Sequence, residues 1–347
     1  MRAPERDRQD SDPLARAAVI QSVTLSSARN RRRAKSAGSS ARADWLAHEE
    51  PLEIRIGARR FAVVMRTPGH DLELVRGLLF SEGIIDRAED VAAIAHCRSV
   101  PAATPDDWHE AARDNVVLVA LAKARRPVRW RRSPIQSSCG VCGRATVEEL
   151  RTLAPPVTSN LVIDARRLAA LPEKLRASQA GFAKTGGLHA AALFDGSGRL
   201  LVAREDVGRH NAVDKVVGAA LLHHLLPLSR CVLQVSGRAS FEIVQKARRA
   251  GVPIVSAVSA PSSLAVLLAR DGGQTLIGFA RADALNVYCG AERVRAPAAA
   301  KASAAVARAA PSPGAPRRPR GRPPRTGSGG RPRGGARSRP TRPTPRG

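Results

Sequence analysis

Apolar positions along the chain recur in two rhythms, and the first legible stretch shows both. Leu52 to Ile56 and Phe61 to Met65 are short alternating or apolar runs on either side of Gly57-Ala58, a pattern that predicts a β-hairpin. Thr67-Pro68-Gly69 then breaks the chain. From Asp71 the period changes, with Leu72, Val75, Leu78 and Leu79 on one helical face and Gly83 where such a helix would stop. Val116 to Leu121 reads as a compact strand, so residues 43–130 predict a small α+β unit. A basic stretch, Lys123 to Arg132 with Trp130 inside it, leads on from there.

The second half is more regular. Ala145 to Leu150 reads as a short helix, and Asp164 can cap a longer one from Ala165 that Pro172 should interrupt. His189 to Phe194 predicts a strand, Asp195-Gly196-Ser197-Gly198 a tight turn, and Arg199 to Ala203 the returning strand. Asn211 to Leu222 follows as a helix, then Cys231 to Val235 as a buried strand, Ser240 to Ala250 as a helix and Pro253 to Ala257 as a strand. A helix begun by Pro261 runs to Arg270, and Gln274 to Phe279 closes the series. Such alternation predicts an α/β fold over residues 145–295, with a mixed, partly parallel sheet and helices on both faces.

At 347 residues and 43% hydrophobic, the chain can bury a sizeable core, and its length predicts two globular units. Its ends differ from the middle. Residues 296–347 hold thirteen basic and no acidic residues among dense Pro and Gly, the composition of a disordered Arg/Pro/Gly-rich tail. Residues 1–42, with ten basic and four acidic residues and the run Arg31-Arg32-Arg33, read as a disordered basic extension. Of the net charge of +27 the two ends carry nineteen, which leaves eight for residues 43–295. The high charge is thus an argument about the ends, whose contact with nucleic acid would be nonspecific. Three Trp, one Tyr and six Phe offer few stacking platforms for bases. No run of about 18 apolar residues occurs, and charge stands where a signal peptide would have its apolar core, so a cytoplasmic protein without a membrane span is expected. Five cysteines are too few for a disulfide framework in a chain of this length, and read as thiols.

Two of those thiols carry the densest chemistry. Ser138-Cys139-Gly140-Val141-Cys142-Gly143 sets Cys139 and Cys142 two residues apart among glycines, in a segment, 131–144, that reads as a mobile loop. Three chemistries fit the spacing. A zinc site needs four ligands, and the other cysteines are single and distant, although His189 or His210 could join. A dithiol redox centre fits because the pair can close a disulfide and one thiol of such a pair is often acidified. A sulfur relay fits because a thiolate can accept a sulfane sulfur as a persulfide. Two buried structural cysteines are the plainer reading, and spacing alone does not choose.

Three further clusters sit where strands end and helices begin. Thr185-Gly186-Gly187-Leu188-His189 joins through the hairpin to Glu205-Asp206-Val207-Gly208-Arg209-His210-Asn211, where amides and a forked cation suit a phosphate or pyrophosphate. Val235-Ser236-Gly237-Arg238-Ala239-Ser240 repeats the strand, glycine turn and helix start, with Ser240 as the cap. Phe279-Ala280-Arg281-Ala282-Asp283-Ala284 ends the last core strand and should share the same rim, the usual ligand edge of an α/β sheet. His189 and His210 stand in it as proton handlers near neutral pH.

Taken in order, Thr67-Pro68-Gly69-His70-Asp71-Leu72, Gly77 to Gly83, the Cys139 loop, Gly186 to Ala191, Glu205 to Lys215 and Ser236-Gly237-Arg238 closely resemble the FdhD family over about residues 45–294. The resemblance implies a cytoplasmic, homodimeric sulfur carrier with a cytidine deaminase-like fold. It implies a sulfurtransferase that takes sulfur from a cysteine desulfurase as a persulfide and passes it to the molybdenum cofactor, bis-molybdopterin guanine dinucleotide, needed by formate dehydrogenase. Carried over residue by residue, Cys139 matches the persulfide cysteine, Cys142 its partner, and Phe279, Ala280, Arg281, Ala282, Asp283 and Ala284 the cofactor contact. Ala282 and Ala284 stand where a glycine and a basic residue are common in the family. Arg209, Arg238, His189 and His210 are expected to serve the same anionic cofactor. No structural metal is expected. Two other functions compete. A zinc-dependent cytidine deaminase-like hydrolase needs a Pro-Cys-x-x-Cys pair, but Ser138 precedes Cys139 and no suitable His-x-Glu precedes the pair. A basic nucleic-acid-binding protein would have to bind without its tails.

Overall fold

A computed structural model describes residues 14–24, 38–97, 115–128 and 154–296, and it begins with a hairpin absent from the sequence expectation. Strand β1 (Ala15–Thr24) pairs antiparallel with β2 (Gly38–Ala47), from Ala15 opposite Ala47 to Thr24 opposite Gly38. The reading of residues 1–42 as wholly disordered is therefore corrected for this stretch. Its composition is poor in large apolar groups, and what anchors the hairpin is tertiary. The His48 amide donates to the Leu14 carbonyl at 3.1 Å, Leu14 packs at Gly181, and Lys184 Nζ lies 3.4 Å over the Trp45 ring. The helix expected at 145–150, the Cys139 loop and the tail beyond residue 296 lie outside the described residues.

The hairpin expected around Gly57 forms from β3 (Glu50–Ile56) and β4 (Arg59–Arg66). Helix α1 (Asp71–Ser81) follows and ends as its sequence predicts, with Gly83 at φ 77° donating to the Phe80 carbonyl. Strands β5 (Val91–His96) and β6 (Val116–Leu121) complete a four-stranded sheet in the order β4-β3-β6-β5, in which only β3 and β6 run parallel.

Beyond residue 154, the short strand β7 (Ile163–Asp164) leads into α2 (Ala165–Ala177), whose first turn Asp164 caps through Oδ1 to the Arg166 amide at 2.9 Å. Pro172 does not interrupt α2. Leu168, Leu171 and Leu175 are all buried on one face, and this packing holds the helix through the missing amide. After α3 (Ala180–Thr185) come β8 (His189–Asp195), β9 (Leu200–Asp206), α4 (Arg209–Leu222), β10 (Cys231–Val235), α5 (Phe241–Arg249) and β11 (Ile254–Ala257). Helix α6 (Ser263–Asp271), β12 (Thr275–Gly278), β13 (Asn286–Cys289) and β14 (Val294–Arg295) finish the described chain. Pro261 does not start α6. It forms a bridge with Ala239, and Ser262 is the cap, accepting from the Ala265 amide.

The main sheet has the order β13-β12-β11-β10-β8-β9, mixed as expected, with β10, β11 and β12 parallel at its centre. Alternation along β8 shows how both faces are covered. Ala190, Ala192 and Phe194 meet Leu168, Leu171 and Leu175 of α2, while Ala191 and Leu193 meet α4 and α5 on the other side. That second cluster continues without a break through Leu52, Ile54, Leu74 and Leu79 to Val213 and Val217. The described residues of 43–130 form an α+β layer that shares one core with residues 154–296, where the sequence predicted two globular units. The join is a helix crossing, where Gly77 of α1 lies against the Asp214 backbone and Gly218 of α4 against the Glu73 backbone.

An ion pair fastens α1 to β9 beside that crossing. Arg204 Nε and Nη2 donate to Glu73 Oε2 and Oε1 at 2.6 and 2.8 Å. Burial alone would raise the Glu73 carboxyl, but Arg204 and His70 override it and hold the pKa at about 2, below the ordinary 4.5. A depressed carboxylate stabilises the fold fully above 4.5 and loses that contribution as pH falls towards 2. In an Arg204→Ala variant the Glu73 midpoint should climb from about 2, followed by carboxyl NMR titration; an unmoved midpoint would contradict the assignment.

Candidate functional site

The parallel strands β10, β11 and β12 and the edge strand β9 all point their carboxyl ends to one rim. Strand β8 runs the opposite way, with Ala191 opposite Val235, so its first residue, His189, arrives at that rim too. The topology therefore gathers segments nearly a hundred residues apart. His189 sits opposite Asp206 in the β8–β9 register, and its ring packs at Gly237, where an added Cβ would stand 3.3 Å from Nδ1. Ser236 ties the two strands with a pair of hydrogen bonds, its amide donating to the Ala190 carbonyl at 2.9 Å and its Oγ accepting from the Ala190 amide at 2.8 Å. Ser259 and Ala257 accept from the Phe279 and Ala280 amides, fixing the last loop, and Arg281 and Ala284 exchange backbone hydrogen bonds across a tight turn.

A cavity of about 550 Å³ opens here, on the α2 face of the sheet. His189, Ser236, Ala280, Arg281 and Ala282 from the predicted set line it. Phe279, Asp283 and Ala284 do not line it. Phe279 is partly exposed beside it, with a left-handed backbone at φ 51°, unusual for a bulky side chain. Gly186, Gly187 and Leu188 of the predicted cluster line it as well, and the far wall, Glu173 and Arg176 of α2, Gln179 at the start of α3 and Phe182 within it, comes from residues that the sequence had not marked. The Arg176 guanidinium lies 4.3 Å from the Phe182 ring centroid, so this wall presents a cation and an aromatic face together. A Pro-bearing helix with an exposed Arg carries no local mark of such a role.

The cations of the rim act on His189. Burial lowers its pKa from the ordinary 6.5, and Arg209, His210 and Arg238 lower it further, against an opposing contribution from Asp206. His189 is accordingly a neutral imidazole at pH 7. His210 has other ties: its Nε2 lies 2.6 Å from Glu242 Oε2 and 3.0 Å from Ser240 Oγ. Ser240 does not cap α5 as expected, because its hydroxyl turns to His210 instead.

Much of the Glu205 to Lys215 run holds the rim rather than lining it. Glu205 caps α3, accepting from the Gly181 and Phe182 amides at 2.9 and 2.8 Å. Asp206, fully buried, accepts from the Thr67 and Gly208 amides and from Asn211 Nδ2, and pairs with Lys215 Nζ at 2.8 Å. The Gly208 amide expected to cradle a phosphate is thus already taken by a carboxylate of the chain itself. Asp214 pairs with Lys246 at 2.6 Å and accepts from Ser81, and burial raises its pKa. Cys139 and Cys142 lie outside the described residues. Among the described residues no three His, Cys, Asp or Glu side chains are grouped to hold a metal ion, and no helix is long and apolar enough to cross a membrane.

Fold and rim together define a mixed α/β protein with one cationic cavity at the carboxyl ends of its parallel strands. Residues 47–295 match the FdhD/NarQ family, and the chain belongs to that family. It is 49% identical over 261 residues to a sulfur carrier protein FdhD of Nocardia farcinica, covering 75% of this chain and 91% of that one. A sulfur carrier protein FdhD of Streptomyces coelicolor is 50% identical over 272 residues, 76% of this chain and 93% of the relative. The fold is similar to the crystal structure of a candidate formate dehydrogenase accessory protein from Desulfotalea psychrophila, with a TM-score of 0.60 and 25% identity over 82% of this chain and all of that one.

Proposed function

We propose that this chain is a cytoplasmic, homodimeric sulfur carrier for the activation of formate dehydrogenase. It takes sulfur from a cysteine desulfurase and hands it to bis-molybdopterin guanine dinucleotide, which is its substrate. The observation that carries the reading is the rim cavity, where Arg281, Arg176 and the neutral His189 face apolar and aromatic walls, in a chain similar along nine-tenths of its sulfur carrier relatives. Such a cavity suits a ligand with both a flat apolar part and anionic groups.

The chemistry balances on the two thiols. The Cys139 thiolate attacks the terminal sulfur of a persulfide on the desulfurase; a new S–S bond forms as the old one breaks, and the donor cysteine leaves as thiolate. Release of that sulfur as hydrosulfide takes two electrons. The Cys142 thiolate supplies them by attacking Cys139 Sγ, which closes a disulfide that a cellular dithiol then reduces. After incubation with a desulfurase and cysteine, mass spectrometry is expected to find one added sulfur on Cys139, and a Cys139→Ala variant should neither gain it nor activate formate dehydrogenase. Full activation by that variant would end the assignment.

A further inference from the structure

We propose that the outer face of the sheet β4-β3-β6-β5 is the surface on which two copies of this chain dimerise. This rests on the homodimer of the reading above and is independent of its sulfur chemistry. The inner face of the sheet carries Leu52, Ile54, Val64, Val117 and Val119 into the core that α1 shares. The residues between them along each strand point the other way. A sheet face left to water normally carries polar side chains. Here β4 presents Val63 and Met65, β6 presents Leu118 and Ala120, and β5 presents Ala93 and Ala95. Val63 is half-buried and the other five are exposed, Leu118 by 39% and Met65 by 36%. Register sets them side by side, Leu118 opposite Ala95, Ala120 opposite Ala93, and Met65 opposite the exposed Pro51 of β3.

The size and the charges of this face fit a second copy. Four strands about 4.8 Å apart, rising about 3.4 Å per residue, make a face of roughly 400 Å² in projection. Two such faces together hide about 1,000 Å² of accessible surface, the lower bound of a specific interface. In the middle of the face stand Glu53 and Arg55, two residues apart on β3, with Arg55 Nε donating to Glu53 Oε1 at 2.6 Å. A two-fold axis crossing β3 at Ile54 lays each strand antiparallel on its own copy, with Glu53 of one protomer over Arg55 of its partner and the reverse. Each charge then gains a second opposite partner, where an uncharged flat partner would leave the pair desolvated at a cost. Arg60, exposed and opposite Arg55 in the register, stands near the turn end of β4 and keeps to the wet rim.

The test is the association state of the full-length protein, measured by sedimentation velocity over a wide concentration range, with far-UV circular dichroism reporting the fold. The wild type should be a dimer. Leu118→Glu should raise the dissociation constant about 100-fold, because a carboxylate enters the middle of the apolar face. Glu53→Arg and Arg55→Glu each set like charges across the axis and should dissociate as well. Mixed in equal amounts, those two variants should form a heterodimer, since one carries two cations and the other two anions. Contact within a single chain cannot produce that rescue. A wild-type dissociation constant in Leu118→Glu, or a mixture that stays monomeric, would overturn the surface while the homodimer stood. If Leu118→Glu does not fold, the mixture decides alone. A monomeric wild type would overturn the surface and the homodimer together, and would leave the gain of sulfur on Cys139 untouched.

Discussion

Replacing Lys215 with methionine is expected to destabilise the protein by about 3–5 kcal/mol, seen as a lower midpoint in urea or thermal denaturation. Lys215 is completely buried, and its Nζ lies 2.8 Å from Asp206 Oδ2 and 2.8 Å from the Thr67 carbonyl. Methionine keeps most of the volume and removes the charge, leaving the Asp206 carboxylate buried without a counter-ion. The remaining donors, the Thr67 and Gly208 amides and Asn211, soften the loss without neutralising the charge. Adding Asp206→Asn to the same chain should restore part of the stability, because the uncompensated charge disappears while several hydrogen bonds remain. A single variant as stable as the wild type would show that the pair contributes nothing. The effect should reach the site as well, since Asp206 holds the Gly208 turn next to Arg209, whose charge acts on His189.

Gly77→Ala should cost about 3 kcal/mol or more, at the upper end of what overpacking costs, because the obstacle is backbone. An added Cβ would stand 1.9 Å from the Asp214 carbonyl oxygen, and Gly218 meets the Glu73 carbonyl at the same distance. No rotamer change can relieve either contact, so α1 and α4 would have to part, opening the core that joins the two sheets. Gly57→Ala is the informative control. That glycine has φ 58° and nothing within 4 Å of an added Cβ, so only the left-handed backbone penalty of about 1–2 kcal/mol applies. Equal melting temperatures for the two variants would contradict the close crossing.

The crossing illustrates what a periodic pattern conveys. Leu72, Val75, Leu78 and Leu79 mark a helix and its buried face, and Gly83 marks its end, because both depend on residues a few positions apart. Gly77 reads as a small residue inside that helix and nothing more. Its role depends on Gly218, 141 residues away, which no local pattern connects to it. Pro172 and Ser240 misled for the same reason. Each has a strong local preference, one to break a helix and the other to cap one, and tertiary partners overrode both: three buried leucines for Pro172, His210 for Ser240. The hairpin of β1 and β2 went unread because small residues dominate its composition, while Leu14 and Trp45 secure its base on α3.

The sequence by itself determined the order of strands and helices from His189 to Gly278, the mixed α/β class and the segments that end at the rim, but not the edge strand Asn286–Cys289. Glycine turns beside strand ends are local chemistry, and so the segments of His189 and Ser236 were legible as parts of one rim. Only the tertiary structure decided which charges serve the cavity and which hold it. Asp206, Asp214 and Lys215 look like a polar site in one dimension, yet burial pairs Asp206 with Lys215, ties both to Thr67 and pairs Asp214 with Lys246, whereas Arg176 and Phe182 look ordinary and form a wall. Burial and pairing arise between segments distant in sequence, and the energy of a charge depends on which partner and how much water it meets there.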